Sequence, residues 1–264
     1  MALKAVFFDL DDTLLWDERC VEEAFASTCA EAEKACGVDP GELEAAVRRE
    51  AKQLYESLET YPFTQNIGIN PFEGLWGRFH DEVHPGFAQL KEIVPYYRSE
   101  SWTRGLRSLG IEDPELGRKL GELFPQERRK RSIVYEETYE VLSSLKGRLK
   151  LLLLTNGSPE LQGEKLAMEP DLPGYFDHIL ISGNLGQGKP APLIFERALA
   201  LADIEPEEAV MIGDKLTTDV KGAAGVGIKT VWVNRKGNER SGNIIPDYEI
   251  GNLRELNEII QSLM

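Results

Sequence analysis

The sequence is poor in cysteine, in histidine and in positive charge, and it has no long apolar run. Its 264 residues include three cysteines and three histidines, and 30 Lys and Arg residues stand against 45 Asp and Glu, a net charge of −15. This charge repels polyanions and argues against nucleic acid or an anionic membrane as the main partner. No segment approaches the ~18 consecutive apolar residues of a membrane-spanning helix. A small anionic partner stays acceptable if positive charge is concentrated locally.

The cysteines do not form the pattern of a disulfide framework or a metal cluster. Cys20, Cys29 and Cys36 fall in one helical stretch, their number is odd, and no CxxC spacing occurs. We interpret them as ordinary thiols of a protein from a reducing compartment. The first residues carry charges at Lys4 and Asp9 and lack the apolar segment of a secretion signal. These features predict a cytoplasmic protein.

One phosphate-binding motif is incomplete. The segment SGNLGQGKPAP at 182–192 has Gly183, four residues, and then Gly188 and Lys189, as a nucleotide-binding P-loop does. A P-loop continues with Ser or Thr, whose hydroxyl ligates Mg²⁺, but this chain has Pro190. Proline has no hydroxyl and favours extended backbone at Lys189. The segment is therefore not a P-loop, and its lysine needs another role.

Five short apolar runs predict buried strands. They lie at Ala5–Asp9, Leu151–Leu154, Ile179–Ile181, Ala209–Ile212 and Thr230–Val233. Apolar strands separated by amphipathic helical stretches are typical of a parallel sheet covered on both faces, so we predict an α/β fold with a doubly wound, Rossmann-like core. Ligands of such folds bind outside the carboxyl ends of the strands. Here those ends carry Asp9, Thr155-Asn156 and Gly213-Asp214.

The long interval between the first two strands predicts an inserted domain. It contains about 130 residues, too many for one crossover connection. Within it, 18–37 shows a helical apolar face that ends at a C-capping glycine, and Asp39-Pro40-Gly41-Glu42 is typical of a helix start. We predict a core domain of residues 1–16 and 132–264 and a mainly helical domain of residues 17–131.

Two carboxylates follow the first strand. The segment FFDLDDTL at 7–14 contains Asp9 and Asp11, whose side chains lean the same way because one residue separates them. One carboxylate can attack phosphorus if a cation offsets the repulsion between two anions, and its neighbour, when protonated, can donate to the leaving oxygen. The structural alternative is an acidic turn that caps a following helix.

Four motifs in order resemble those of the haloacid dehalogenase-like (HAD) hydrolases. They are DLDDT at 9–13, LLLLTNG at 151–157, GKP at 188–190 and GDKLTTD at 213–219. They frame the predicted sheet domain and leave 17–131 where the family's first type of cap domain lies. The resemblance implies a Mg²⁺-dependent phosphatase whose helical cap closes over the site.

The resemblance also implies the roles of the catalytic and phosphate-binding residues. Asp9 would be the nucleophile that forms an aspartyl-phosphate. Asp11 would be the acid for the leaving group and then the base for water. Lys189, Thr155 and Asn156 would bind the phosphoryl group together with Asp9.

The same resemblance implies a metal site. Asp9, the Asp11 backbone carbonyl and Asp214 would ligate Mg²⁺, an oxygen set that suits this hard cation. Asp219 would support the metal waters or the motif lysine from outside the ligand set. Lys215 departs from the Ser or Asn of many relatives, and we expect it to point to solvent rather than into the phosphate pocket. Ala191 departs from the acid that often follows the GKP motif.

The substrate implied is a small phosphomonoester, an anionic molecule. Phosphoserine is the first expectation, from a resemblance of the LLWDE and GINPFEGLW segments to bacterial phosphoserine phosphatases, and sugar phosphates or nucleoside monophosphates follow. A dehalogenase is disfavoured, since halide leaves without the proton that Asp11 would supply. Two alternatives stay open: a sugar phosphomutase of the same superfamily, and a catalytically silent binding protein on this fold.

Three features of the helical segment are assigned structural roles. His80 to His84 resembles a metal-binding HExxH pattern, but Glu82 is one position late and Pro85 is expected to end the helix. The basic run 128–131 is interpreted as a solvated helix end that could also raise the local potential for an anion. The aromatic residues of 61–79 are expected to form the core of the helical domain.

Overall fold

The computed structural model describes residues 2–240 and 242–264. Their helices and strands, in chain order, are β1 (Ala5–Phe8), α1 (Asp17–Cys36), α2 (Pro40–Glu56), α3 (Tyr61–Ile67), α4 (Pro71–Gly74), α5 (Pro85–Ser108), α6 (Pro114–Arg129), α7 (Thr138–Leu145), β2 (Lys150–Thr155), α8 (Pro159–Met168), β3 (His178–Ile181), α9 (Leu193–Ala202), β4 (Ala209–Gly213), α10 (Lys221–Gly225), β5 (Lys229–Val233), β6 (Tyr248–Ile250) and α11 (Leu256–Leu263). Among the described residues, no helix has the length and apolarity that a membrane span requires.

The strands form one parallel sheet with the order β3-β2-β1-β4-β5-β6. Strand β1 lies between β2 and β4, so the direction of winding reverses beside it, and ligands of doubly wound folds bind at such a reversal. The predicted α/β class and doubly wound sheet are confirmed. All five predicted strands are present, and β6, a three-residue strand with sequence YEI, was not predicted from the sequence.

The alternation of side chains along β1 shows why the sheet is covered on both faces. Val6 and Phe8 join one buried apolar cluster, and Ala5 and Phe7 join another on the opposite face. All four residues are fully buried. Burial of each phenylalanine contributes about 1.5–3 kcal/mol to folding. The chain therefore holds its first strand, and the acid that follows it, in the centre of the sheet.

The chain divides into two compact units. One comprises the chain up to Trp16 together with Val134–Met264, and it contains the sheet. The other is Asp17–Ile133, which contains α1 to α6.

The helical unit contains the helix-capping residues that its sequence predicts. Asp39 caps α2, and its carboxylate accepts from the Glu42 backbone N–H at 2.8 Å. Gly37 follows α1 with a φ of 73°, a left-handed conformation that favours glycine. Of the aromatic residues of 61–79, Trp76 and Phe79 are fully buried, as expected, whereas Tyr61, Phe63 and Phe72 are only partly buried. All three cysteines are free.

Two expectations for the helical unit are wrong. Pro85 begins a helix rather than ending one, and the His84 side chain caps it by accepting from the Gly86 backbone N–H at 3.0 Å. Proline suits the first turn of a helix because its missing N–H would have no helical partner there. Arg128 is not solvated; it is 2% exposed, and it forms an ion pair with Asp17 at 2.5 Å. A charge run therefore need not lie on one solvated face.

Arg235, in the loop after β5, contacts two chain segments of the sheet unit. One segment lies just before Trp16, where the first part of the unit ends, and the other lies just after Val134, where its second part begins. The Arg235 guanidinium donates to Glu137 Oε1 at 2.7 Å and to the Thr13 carbonyl at 3.0 Å. It also lies 3.5 Å from the centre of the Tyr135 ring, at a distance typical of a cation–π interaction. Arg235 thereby fixes both of these chain segments to the end of the sheet.

Candidate active site

Three neighbouring strands deliver polar residues to one edge of the sheet. Asp9 follows β1, Thr155 ends β2, and Asp214 follows β4. The Asp9 backbone N–H donates to the Ile212 carbonyl at 2.9 Å, which continues the β1–β4 pairing by one residue. Parallel strands place their carboxyl ends together, so residues far apart in sequence meet here.

Lys189 lies at the centre of this edge. Its ammonium contacts Asp9 Oδ1 at 2.6 Å and Asp219 Oδ1 at 2.7 Å, and it donates to the Leu154 carbonyl at 2.7 Å. The residue is 5% exposed and Asp9 is 7% exposed. Burial alone would lower the pKa of Lys189, but the two carboxylates raise it above its ordinary value. The lysine is a fixed cation held beside the predicted nucleophile.

The loop that carries Lys189 is fixed by Asn156. The Asn156 side chain donates from Nδ2 to the Lys189 carbonyl at 3.0 Å and accepts at Oδ1 from the Lys189 backbone N–H at 2.8 Å. A side chain at Gly188 would put its Cβ 2.8 Å from Asn156 Oδ1, so only glycine allows this approach. With its side-chain amide engaged, Asn156 has its backbone N–H left to offer to a phosphoryl group.

Asp219 lies in a π-helical turn, Leu216–Val220, that precedes α10. It is 1% exposed, and besides Lys189 it accepts from the Lys215 backbone N–H at 3.0 Å. A Cβ at Gly213 would lie 2.4 Å from the Asp219 carboxyl carbon, so glycine is required before Asp214. These contacts hold Asp219 against the lysine and suit a supporting role.

Three carboxylates are close enough to share a metal ion. Oxygens of Asp9, Asp214 and Asp219 all lie within 4.8 Å of one another. Asp214 Oδ1 is buried and accepts no hydrogen bond from any residue that the structure describes. Burial raises the pKa of Asp214 well above its ordinary value, and the neighbouring Asp9 adds to this. A buried acceptor without a donor is unfavourable unless a cation compensates it, and an all-oxygen donor set fits Mg²⁺.

The carboxylates also act on Lys215. Its side chain is exposed, as expected. Partial desolvation opposes the charged form, but Asp214, Asp9 and Asp219 together outweigh this and raise the pKa of Lys215. The Lys215 side chain is therefore exposed to solvent, as expected, and it also interacts electrostatically with the acidic cluster. In the sequence-based expectation these two properties were alternatives.

Asp11 has partners that the sequence analysis missed. Lys165 contacts Asp11 Oδ2 at 2.8 Å, and Gln162 donates to the same oxygen at 3.0 Å. Both come from α8 and are buried, in a stripe with Leu161 and Leu166. The sequence did contain an indication of these partners. Gln162 and Lys165 are three residues apart, and the spacing of Leu161 and Leu166 places them on the buried face of the helix.

Every predicted site residue lies in the sheet unit, at the end of β2, after β1, β2 or β4, or on the glycine-rich loop. Thr155 is buried at the end of β2, and its hydroxyl makes one long contact, 3.4 Å to the Asn156 carbonyl. Thr13 Oγ1 lies 3.5 Å from Asp9 Oδ2. The arrangement offers a carboxylate nucleophile, a fixed ammonium and an oxygen site for a cation within one polar cluster.

Comparisons with known proteins agree with this geometry. A family model described as haloacid dehalogenase-like hydrolase matches residues 3–227. The phosphoserine phosphatase of Thermus thermophilus is 37% identical over 96% of this chain and 98% of its own length. The N-acylneuraminate-9-phosphatase of Mus musculus is 28% identical over 99% of this chain and 95% of its own length.

Among solved structures, the HAD hydrolase YfnB from Bacillus subtilis, bound to magnesium, superimposes with a TM-score of 0.65. It is 23% identical, and the match covers 98% of this chain and 99% of that one. At this identity the likeness shows the fold alone. The family model and the phosphatase relatives show more: the chain belongs to the haloacid dehalogenase-like hydrolases, on the phosphatase branch that its four motifs predict.

Proposed function

We propose that the protein hydrolyses a small phosphomonoester with Mg²⁺ through an aspartyl-phosphate at Asp9. The observation that carries the proposal is the position of Lys189, whose ammonium contacts both Asp9 and Asp219. A buried oxygen of Asp214 lies in the same cluster and accepts no hydrogen bond within the described ranges 2–240 and 242–264. Phosphate monoesters are among the slowest molecules to hydrolyse unaided, and a site must offer fixed charge to the transferring group.

The chain's own residues suit the first half of the reaction. Asp9 attacks phosphorus while Lys189 reduces the repulsion between the carboxylate and the phosphoryl oxygens. The Thr155 hydroxyl and the Asn156 backbone N–H bind those oxygens. Asp11 gives its proton to the leaving oxygen as the bond between that oxygen and phosphorus breaks.

In the second half, Asp11 takes a proton from water while the water oxygen attacks phosphorus. The bond to Asp9 breaks, which regenerates the carboxylate and releases phosphate. Asp219 keeps Lys189 in place throughout.

Mg²⁺ would be held by Asp9, the Asp11 backbone carbonyl and Asp214, and would neutralise charge on the phosphoryl group. The fit rests on the all-oxygen cluster and on the Asp214 oxygen without a donor. Asp219 already forms an ion pair with Lys189 and accepts a hydrogen bond from the Lys215 backbone N–H, so it suits a place outside the ligand set.

For the substrate, phosphoserine is the first candidate because the Thermus thermophilus relative spans almost the whole of both chains at 37% identity. N-acylneuraminate 9-phosphate, a sugar phosphate, follows from the relative in Mus musculus. Nucleoside monophosphates complete the set to be tested. The first two are phosphates of primary alcohols, whose alkoxides leave poorly without a proton.

The test is phosphate release from these three esters and from p-nitrophenyl phosphate, with Mg²⁺, with EDTA and with Asp9→Asn. We expect Mg²⁺-dependent release that Asp9→Asn abolishes, and the highest kcat/KM with phosphoserine. Absence of release from every ester would favour the silent binding protein. Transfer of phosphate within a sugar without net release would favour the mutase.

A further inference from the structure

Helix α8 directs two buried polar side chains at one oxygen of Asp11. Lys165 Nζ lies 2.8 Å from Asp11 Oδ2 and Gln162 Nε2 lies 3.0 Å from it. Lys165 is 1% exposed and Gln162 is fully buried. Two donors on a single carboxylate oxygen restrict rotation of the carboxyl group about its bond to Cβ.

Packing alone does not account for these residues. Buried lysine and glutamine cost free energy unless their polar ends are hydrogen-bonded, and an apolar side chain would fill the same stripe beside Leu161 and Leu166 without that cost. Gln162 also donates to the Asn156 carbonyl at 2.6 Å. Gln162 thus links Asp11 to Asn156, the residue that fixes the loop carrying Lys189.

We propose that Lys165 and Gln162 are positioning residues for Asp11. They hold Oδ2 against α8, so that Oδ1, which is buried in this structure, is the oxygen that carries the proton for the leaving group. The inference rests on the proposed function, in which Asp11 is the acid. It adds two residues, outside the four motifs, through which the acid is oriented.

The proposal accounts for both protons of the reaction. As the bond between phosphorus and the leaving oxygen breaks, the proton on Oδ1 moves to that oxygen, and Asp11 becomes a carboxylate that still faces the Lys165 ammonium. In the second half a water proton returns to Oδ1 as the water oxygen bonds to phosphorus. Neither Lys165 nor Gln162 gains or loses a proton.

The leaving group distinguishes this role from a structural one. An alkyl phosphate such as phosphoserine needs a proton on its leaving oxygen, whereas p-nitrophenolate leaves without one. Loss of the orientation of Asp11 should therefore slow alkyl phosphates selectively. A change that merely loosened the site, or weakened metal or phosphate binding, would slow both kinds of ester.

The experiment compares Lys165→Met with the wild type on the best alkyl phosphate of the panel above and on p-nitrophenyl phosphate. General acid catalysis supplies about 10²–10⁴-fold. Mutation of a residue that orients a metal ligand typically costs about 10–100-fold in activity, and we expect a similar magnitude for residues that orient the acid. We expect kcat for the alkyl phosphate to fall by about 10–100-fold with little change in KM. On p-nitrophenyl phosphate we expect kcat to fall less than about threefold, since no proton is needed.

Three further variants sharpen the test. Gly163→Ala is the matched control, because it lies on α8 with nothing within 4 Å of the added Cβ, and it should behave as the wild type. Gln162→Leu removes one of the two donors to Oδ2 and tests the proposal if Lys165→Met does not fold. In an Asp11→Asn background, Lys165→Met should cause no further loss, because its effect acts through Asp11.

Equal loss on both esters, or a full additional loss in the Asp11→Asn background, would overturn the positioning role. These outcomes differ from failure of the proposed function, which would show as a wild type that releases no phosphate from any ester.

Discussion

Replacement of Lys189 by methionine tests the centre of the site, because it removes one buried cation and leaves two carboxylates facing each other. The ammonium contacts Asp9 at 2.6 Å and Asp219 at 2.7 Å, and all three residues are buried. Removal of one member of a buried ion pair costs about 3–5 kcal/mol. One kcal/mol shifts the melting temperature of a chain this large by about 2–4 °C, so the sheet unit should melt roughly 6–20 °C lower.

The same substitution should reduce activity more severely than stability. Loss of one fixed group that stabilises transition-state charge costs about 10²–10³-fold in kcat, and Lys189 carries a full charge, so we expect a loss at the upper end or beyond. The assay is phosphate release at a temperature well below the melting transition of the variant, which separates catalysis from unfolding.

A second variant distinguishes the two effects. Lys189→Met combined with Asp219→Asn removes the cation and one of its two anions, so we expect most of the lost stability to return while activity stays lost. Lys221→Met, at an exposed lysine of α10, is the control and should change stability by less than about 0.5 kcal/mol. The reasoning is refuted if folded Lys189→Met keeps kcat within tenfold of the wild type, or if the double variant regains activity together with stability.

Three other substitutions have defined outcomes. Asp214→Asn replaces one oxygen of a buried carboxylate by an NH₂ group and removes its charge, so thermal melting in EDTA should start at or above the wild-type temperature, and added Mg²⁺ should no longer raise it. Burial tends to raise the pKa of Glu137, but the hydrogen bond and charge of Arg235 together with hydrogen bonds from backbone N–H groups outweigh this, and the pKa lies below the ordinary value. A carboxyl group whose pKa is lower in the folded protein stabilises it above the unfolded pKa of ~4.3, and this contribution is lost as the pH falls through the folded pKa. The free energy of unfolding of Arg235→Gln, measured with urea, should therefore be about 1.5–3 kcal/mol below that of the wild type at pH 7. This difference should shrink below about pH 4. Asp39→Ala should cost about 1 kcal/mol by removing the cap of α2, in the same urea assay.

Much of the sheet was predictable because its strands are short, apolar and separated by helices. Their pattern places Asp9, Thr155 and Asp214 at one edge before any coordinates are known, since parallel strands end together. Strand β6 was not predictable because three residues, one of them exposed, form no periodic pattern. Period and polarity identify an element only when several residues repeat the pattern.

The contacts that complete the site were less predictable. Whether a basic side chain is buried can depend on a partner that is distant in sequence. Arg128 pairs with Asp17, which lies 111 positions earlier in the chain. Lys165 similarly meets Asp11 across 154 positions. For Pro85, the signal was present but ambiguous, because proline stops one helix and suits the first turn of another.

The central place of β1 has a consequence for how the molecule forms. This strand is made first during synthesis, yet its register pairs Ala5 with Lys150 and with Ala209, so both neighbours come much later. Until those segments exist, four apolar residues have no sheet to join, and the helical unit between them can fold from local contacts in the meantime. Recovery of catalysis during refolding should therefore report the closing of the sheet around its first strand rather than the earlier formation of helices.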